Sequence, residues 1–240
     1  MVYYKYKSGA KDGIEMNIYY ILLLVVLALS LICQGRVKRV FKRYSDLPGA
    51  LGITAKDAAE NMLAEAGSNV TVVQVSGELT DHYAPKENTV GLSTEVYGST
   101  SVAALAVAAH EIGHVCQYQD GYKPISIRTS ILPVARIGSM AGPYIIIAGL
   151  LVRSDTVAYI GLYLYCAVLL FQLITLPVEF NASSRGLAML ESNGFVAPCD
   201  MPAAKKVLRA AAMTYVLSAL GTLVSVLRFL TMIRGGKRRD

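Results

Sequence analysis

Two of the chain's three histidines stand four residues apart, in Ala109-His110-Glu111-Ile112-Gly113-His114-Val115. On an α-helix, residues four apart lie about 40° apart around the axis and roughly 6 Å apart along it. Both imidazoles therefore face one way and can hold a single Zn²⁺ at about 2.0–2.1 Å. Glu111 follows the first histidine directly, which places its carboxylate beside such a metal rather than on it. A carboxylate there can take a proton from an activated water and pass it to a leaving amine. The expected cofactor is thus Zn²⁺, with His110 and His114 as ligands and Glu111 as the catalytic base. The neighbours Ala109, Ile112, Gly113 and Val115 carry no charge and do not compete for the ion. The bland alternative is two surface histidines and a solvated glutamate. The apolar run Ala103-Ala-Leu-Ala-Val-Ala-Ala109 speaks against it. A helix this apolar is buried, and buried His and Glu side chains need partners.

A zinc hydrolase needs a third protein ligand and an open fourth position. Cys33, Cys116, Cys166 and Cys199 form no CxxC pair, so a cysteine-built site is excluded and a disulfide framework is not expected. The remaining histidine is His82. The strongest candidate is Glu179, which opens a predicted helix at Glu179-Phe-Asn-Ala-Ser183, directly after an apolar segment closed by Pro177. A glutamate at a helix start ordinarily complements the helix dipole. The need for a third ligand favours the metal-binding reading.

The elements that must position these groups are read from hydropathy. The chain has 240 residues, 54 % hydrophobic and 17 % charged, against about 25 % charged in a typical soluble domain. Mean hydropathy is +0.44. These values exclude a disordered chain and argue against an ordinary soluble enzyme. Four apolar segments approach the roughly 17 to 25 residues that cross a bilayer: 18–33, 131–152, 156–176 and 213–233. Before the first lies a polar tail, 1–17, without apolar periodicity. No small-x-small cleavage site precedes Gln34, so segment 18–33 reads as an uncleaved anchor. Pro143 should kink the second segment, and Gly138, Gly142 and Gly149 suit a close helix–helix contact. The net charge is +6. The basic residues flank apolar segments, so they suit lipid headgroups rather than nucleic acid. Arg36, Lys38, Arg39, Lys42 and Arg43 favour a cytoplasmic position for region 34–130, although Arg234, Lys237, Arg238 and Arg239 then fall on the opposite side.

In region 34–130, Thr54 should cap a helix running to Ala66 and stopped by Gly67. Val70–Val75, Leu79–Tyr83 and Thr89–Ser93 read as strands, with Pro85–Asn88 as a turn. Ser99–Gln119 reads as the helix that carries the histidines. In 177–212, a helix Glu179–Asn193 should end before Gly194, and another should start at Asp200 and run into 213–240. With four spans (18–33, two within 131–176, and one within 213–240), regions 34–130 and 177–212 share one membrane face.

The residues Gly77-Glu-Leu-Thr-Asp-His-Tyr83, Ala109-His-Glu-Ile-Gly-His114 and Leu176-Pro-Val-Glu-Phe-Asn-Ala-Ser183 carry a resemblance. With the order of the apolar segments, they make the chain similar to the YugP-type neutral zinc metallopeptidases, small integral-membrane proteins of bacteria. In plan it is also similar to HtpX-type and CAAX-prenyl-protease-type peptidases of the gluzincin kind. That resemblance implies Glu179 as third ligand. It also implies an edge strand near Thr80–Tyr83 that pairs with substrate, where His82 could donate to an oxyanion. An exposed histidine at a strand end is the plainer reading of His82, and a membrane-belt role that of Tyr215. The wider pattern has Asp where this chain has Ser183, so support for the histidines is also sought from Asn181 or Asp81.

The expected fold is a mainly α integral membrane protein, with about four transmembrane helices plus a small α+β zincin-like unit carrying a short β-hairpin or sheet. The expected function is zinc-dependent hydrolysis of peptide bonds close to the plasma membrane, on peptide or membrane-protein substrates, possible roles being quality control or processing. The competing reading is a non-catalytic zinc-binding membrane scaffold or assembly factor. A transporter ranks last, because the spans carry almost no mid-membrane polar groups. No feature of the sequence assigns a number of subunits.

Overall fold

A computed structural model describes residues 18–235. The expected tail 1–17 and the basic residues Lys237, Arg238 and Arg239 lie outside the described residues. The elements in order are α1 (Ile18–Tyr44), α2 (Ala55–Glu65), β1 (Thr71–Val75), β2 (His82–Ala84), β3 (Thr89–Ser93), α3 (Thr94–Tyr97), α4 (Val102–Gln119), α5 (Lys123–Leu151), α6 (Asp155–Ser192) and α7 (Met201–Gly235).

Four of these helices, α1, α5, α6 and α7, are long and apolar enough to cross a membrane. Their outer faces fit that role. Leu24, Ile32, Met140, Tyr144, Leu151 and Tyr163 are all exposed. Large apolar surface of this kind needs lipid rather than water around it.

Two readings of the helices are corrected. Pro177 does not end a helix: α6 runs through it without a break, so Glu179 sits inside a 38-residue helix rather than at a helix start. A mid-helix proline forfeits one backbone bond, a loss that membrane helices tolerate. Likewise α5 contains both Pro133 and Pro143 and begins at Lys123, eight residues before the apolar segment does. The predicted run of α7 from the Asp200 region into the last apolar segment holds.

The chain divides into two compact units. The membrane unit includes Ile127–Thr175. Within it α5 and α6 approach at their glycines, as their spacing suggested. A Cβ added at Gly138 would stand 2.1 Å from the Leu164 carbonyl oxygen, and one at Gly149 would stand 2.3 Å from the Ala158 nitrogen. Only glycine lets two backbones come this close.

The other unit comprises Cys33–Ser126 and Leu176–Thr214. Its three strands lie in the order β1-β3-β2. β1 runs parallel to β3, and β2 runs antiparallel with His82 opposite Gly91. β2 is therefore a free edge. It is shorter than the predicted Leu79–Tyr83: Leu79 takes φ 55° and Gly77 φ 108°, which turns the chain before the strand can start. The Thr54 hydroxyl accepts the Asp57 amide at 3.1 Å and starts α2, a cap worth about 0.5–2 kcal/mol. Gly67, at φ 61°, ends that helix. α4 starts at Val102, capped by the Ser101 hydroxyl at 3.2 Å from the Ala104 amide, with short α3 ahead of it. Leu105, Ile112 and Val115 on α4 are wholly buried with Met62 of α2, Leu92 of β3 and Leu190 of α6. Each such side chain contributes roughly 1.5–3 kcal/mol. The histidine helix is thus the centre of its unit's core and a rigid base for a site.

Candidate metal centre

α4 supplies His110 and His114, and the continuation of α6 past Leu176 supplies Glu179. Potential ligand atoms of these three residues all lie within 4.8 Å of one another. Glu179 Oε2 is 3.4 Å from His110 Nε2 and 3.8 Å from His114 Nε2. Tetrahedral ligands at about 2.0–2.1 Å from zinc are about 3.3 Å apart. Two imidazoles and one carboxylate at this spacing fit a zinc ion. The imidazole rings stand edge to face, 80° apart.

The far nitrogen of each histidine is also engaged, and this fixes which nitrogen faces the ion. His110 Nδ1 lies 3.0 Å from the Ser183 hydroxyl. His114 Nδ1 lies 2.9 Å from Gln117 Oε1. An Nδ1–H that donates outward leaves the Nε2 lone pair for a metal. Gln117 cannot turn round, because its Nε2 donates to the Val178 carbonyl at 2.8 Å and to Asn181 Oδ1 at 2.9 Å. Asn181 Oδ1 also accepts from Arg185 Nε at 2.9 Å. Arg185 in turn pairs with Asp120 and covers the Tyr122 ring.

Ser183 thus supports His110 itself, in place of the Asp of the wider pattern, and Asn181 supports His114 through Gln117. Asp81 does neither. Its carboxylate accepts the Ser93 amide at 2.7 Å and the Ser93 hydroxyl at 3.1 Å, joining the loop before β2 to the end of β3. His82 is exposed on edge strand β2, and its Nδ1 lies 2.7 Å from the Thr80 carbonyl oxygen.

Glu111 is 7 % exposed and Glu179 3 %. Burial pushes the Glu111 carboxyl above the ordinary carboxylate range, against the pull of His110 and His114; the charges of Asp81 and Glu179 add to the rise. A carboxylate with raised proton affinity suits a group that must take up and return a proton. For His114, burial opposes the charged ring. The hydrogen bond to Glu179 and the charges of Glu111 and Glu179 outweigh burial, and the pKa is raised.

Two glycines set how close the metal-binding helices come. A Cβ at Gly113 would stand 2.3 Å from the Ala182 carbonyl oxygen, and one at Gly186 would stand 2.6 Å from the Ala109 carbonyl oxygen. Gly113 lies between the two histidines in sequence, so the α4–α6 crossing runs through the motif itself. Sequence reasoning passed over Gln117, Gly113 and Gly186. Gln117 had a signal: an amide one turn past His114, on the histidines' face of a largely apolar helix.

Comparison with known proteins agrees with this geometry. Residues 19–234 match the profile of a family described as "Putative neutral zinc metallopeptidase". The chain is 39 % identical over 221 residues to "Putative membrane protease YugP" of Bacillus subtilis (strain 168), covering 92 % of this chain and 98 % of that protein. No solved structure gives a significant match. With a match across nearly its whole length, the chain belongs to this family of zinc metallopeptidases.

Proposed function

We propose that the protein is a membrane-embedded zinc metallopeptidase that hydrolyses peptide bonds near the membrane surface. His110, His114 and Glu179 hold the ion, and Glu111 is the general base. The observation that carries this reading is the convergence of two oriented imidazoles and a carboxylate beside a second, buried carboxylate with raised proton affinity. Zinc held there supplies Lewis acidity toward a water and a scissile carbonyl. The chain's own residues do the rest. Ser183 and Gln117 keep both Nε2 atoms turned to the ion. Glu111 takes the proton of the attacking water on a carboxylate oxygen and returns it to the leaving amine. The free edge of β2 offers its backbone to an extended substrate, and His82 on that strand is the group assigned to the oxyanion.

Glu179 follows Leu176, the last residue of the third apolar segment, by only three positions. That short separation supports substrates that are themselves membrane-tethered, including unfolded membrane proteins. The cluster Arg36, Lys38, Arg39, Lys42 and Arg43 after the first apolar segment supports a cytoplasmic catalytic face in the plasma membrane.

The test is Glu111→Gln. A peptidase keeps its zinc and its fold but loses hydrolysis by about 10²–10⁴-fold, the range for a general base. A zinc-binding scaffold would keep its cellular function in that variant, and this result would overturn the proposal.

A further inference from the structure

Within the unit that holds the trio, α6 from Phe180 to Glu191 and α7 from Lys205 to Ala212 flank a groove of about 410 Å³. That volume falls in the range of small-molecule sites. The groove has both apolar and charged walls. Its apolar walls are Phe180, Leu187 and Leu208, and its charged ones are Arg209, Lys205 and Glu191. Phe180 lies four residues past Leu176 on α6, and Ala212 immediately precedes Met213 on α7. Both walls therefore continue along the chain into apolar segments. Lys205 and Arg209 lie four apart on one face of α7, and both are exposed. Among the described residues neither makes an ion pair. Two cations against one carboxylate leave the groove with one positive charge.

We propose that this groove holds an anionic phospholipid, with the phosphodiester on Lys205 and Arg209 and an acyl chain against the exposed ring of Phe180. The charge balance matches a single phosphodiester. A cationic groove with an exposed aromatic wall, on helices that continue along the chain into apolar segments, matches a lipid, since basic side chains near membranes recognise anionic headgroups. A free phosphate would use the cations and leave the exposed Phe180 uncovered. Ser183, the hydroxyl that holds His110, lines the same groove. A lipid there lies one side chain from a proposed metal ligand. The inference rests on the membrane character of the chain and not on peptidase activity.

The test is native mass spectrometry of the full-length protein in mild detergent, with added phosphatidylglycerol or phosphatidylcholine. The wild type should retain one phosphatidylglycerol in preference to phosphatidylcholine. Lys205→Gln with Arg209→Gln should weaken that retention about 30-fold. Ala188→Trp, which fills the groove without changing charge, should also abolish it. Lys206→Gln, a neighbour outside the groove, should change it little. Zinc content and helical circular dichroism, measured alongside, should match wild type in all variants and thereby report intact folding. Equal retention of the two lipids would overturn the proposal. So would retention unaffected by the double substitution or by Ala188→Trp, and so would displacement of the lipid by millimolar inorganic phosphate.

Discussion

Replacing Gly113 by alanine adds one methyl group where α4 and α6 cross. The new Cβ would stand 2.3 Å from the Ala182 carbonyl oxygen, whereas an unstrained carbon–oxygen contact is about 3.3 Å. The obstacle is backbone, so no side chain can swing aside. The helices must part by about 1 Å, at a point one residue from His114 and three residues from Glu179. That shift would stretch the 3.4 Å between Glu179 Oε2 and His110 Nε2 to more than 4 Å. Three ligands at about 2.0–2.1 Å from one ion no longer fit that spacing. Overpacking of this kind costs about 1–3 kcal/mol of stability. Zinc affinity should drop by about 10–100-fold, and hydrolysis by about 100-fold from a displacement of this size. Zinc affinity is read by chelator competition on detergent-purified protein, with thermal unfolding measured in parallel. Gly98→Ala serves as control, because a Cβ there meets nothing within 4 Å. A folded Gly113→Ala protein that binds zinc within twofold of wild type would show that the α4–α6 crossing does not set the ligand spacing.

Other outcomes rest on the same geometry. Gln117→Leu keeps the bulk at that position but removes the acceptor for His114 Nδ1 and the donor to Val178 and Asn181. Zinc affinity measured by the same competition should fall about 10–100-fold, and an unchanged affinity would show that the amide does not orient His114. Zinc binding should also respond to pH. In the metal-free protein Glu179 and Glu111 raise the His114 pKa, so below that raised value a proton occupies the nitrogen that zinc needs. Affinity should be level at high pH and begin to fall above pH 6.5, the ordinary histidine value of about that size. A fall that starts only below that value would contradict the assigned field.

What was legible in the sequence was what short-range spacing encodes. His110, Glu111 and His114 share a helix, and four-residue spacing alone brings the imidazoles to one face. The four membrane helices could be read because hydropathy is a local sum. Glu179 was found from the need for a third ligand, but its setting was misread. Pro177 suggested a helix start, whereas the chain keeps α6 continuous through it and places Glu179 mid-helix. The parts that escaped reading depend on the crossing of α4 with α6. Nothing near Gly113 in sequence says that Ala182 will press on it, and nothing near Gln117 says that Val178 and Asn181 will receive its amide. Asp81 stood beside Asn181 as a possible support for the histidines. In the fold its carboxylate ties the turn at Gly77 and Leu79 to Ser93, which also explains why β2 starts only at His82.

In the proposed function α4 and α6 together form one zinc site. Its most direct test is zinc content by mass spectrometry on protein purified in detergent without chelators, with wild type beside Glu179→Ala. Wild type should carry about one zinc per chain, and the variant should lose most of it. No zinc in folded wild type, or equal zinc in the two proteins, would contradict it.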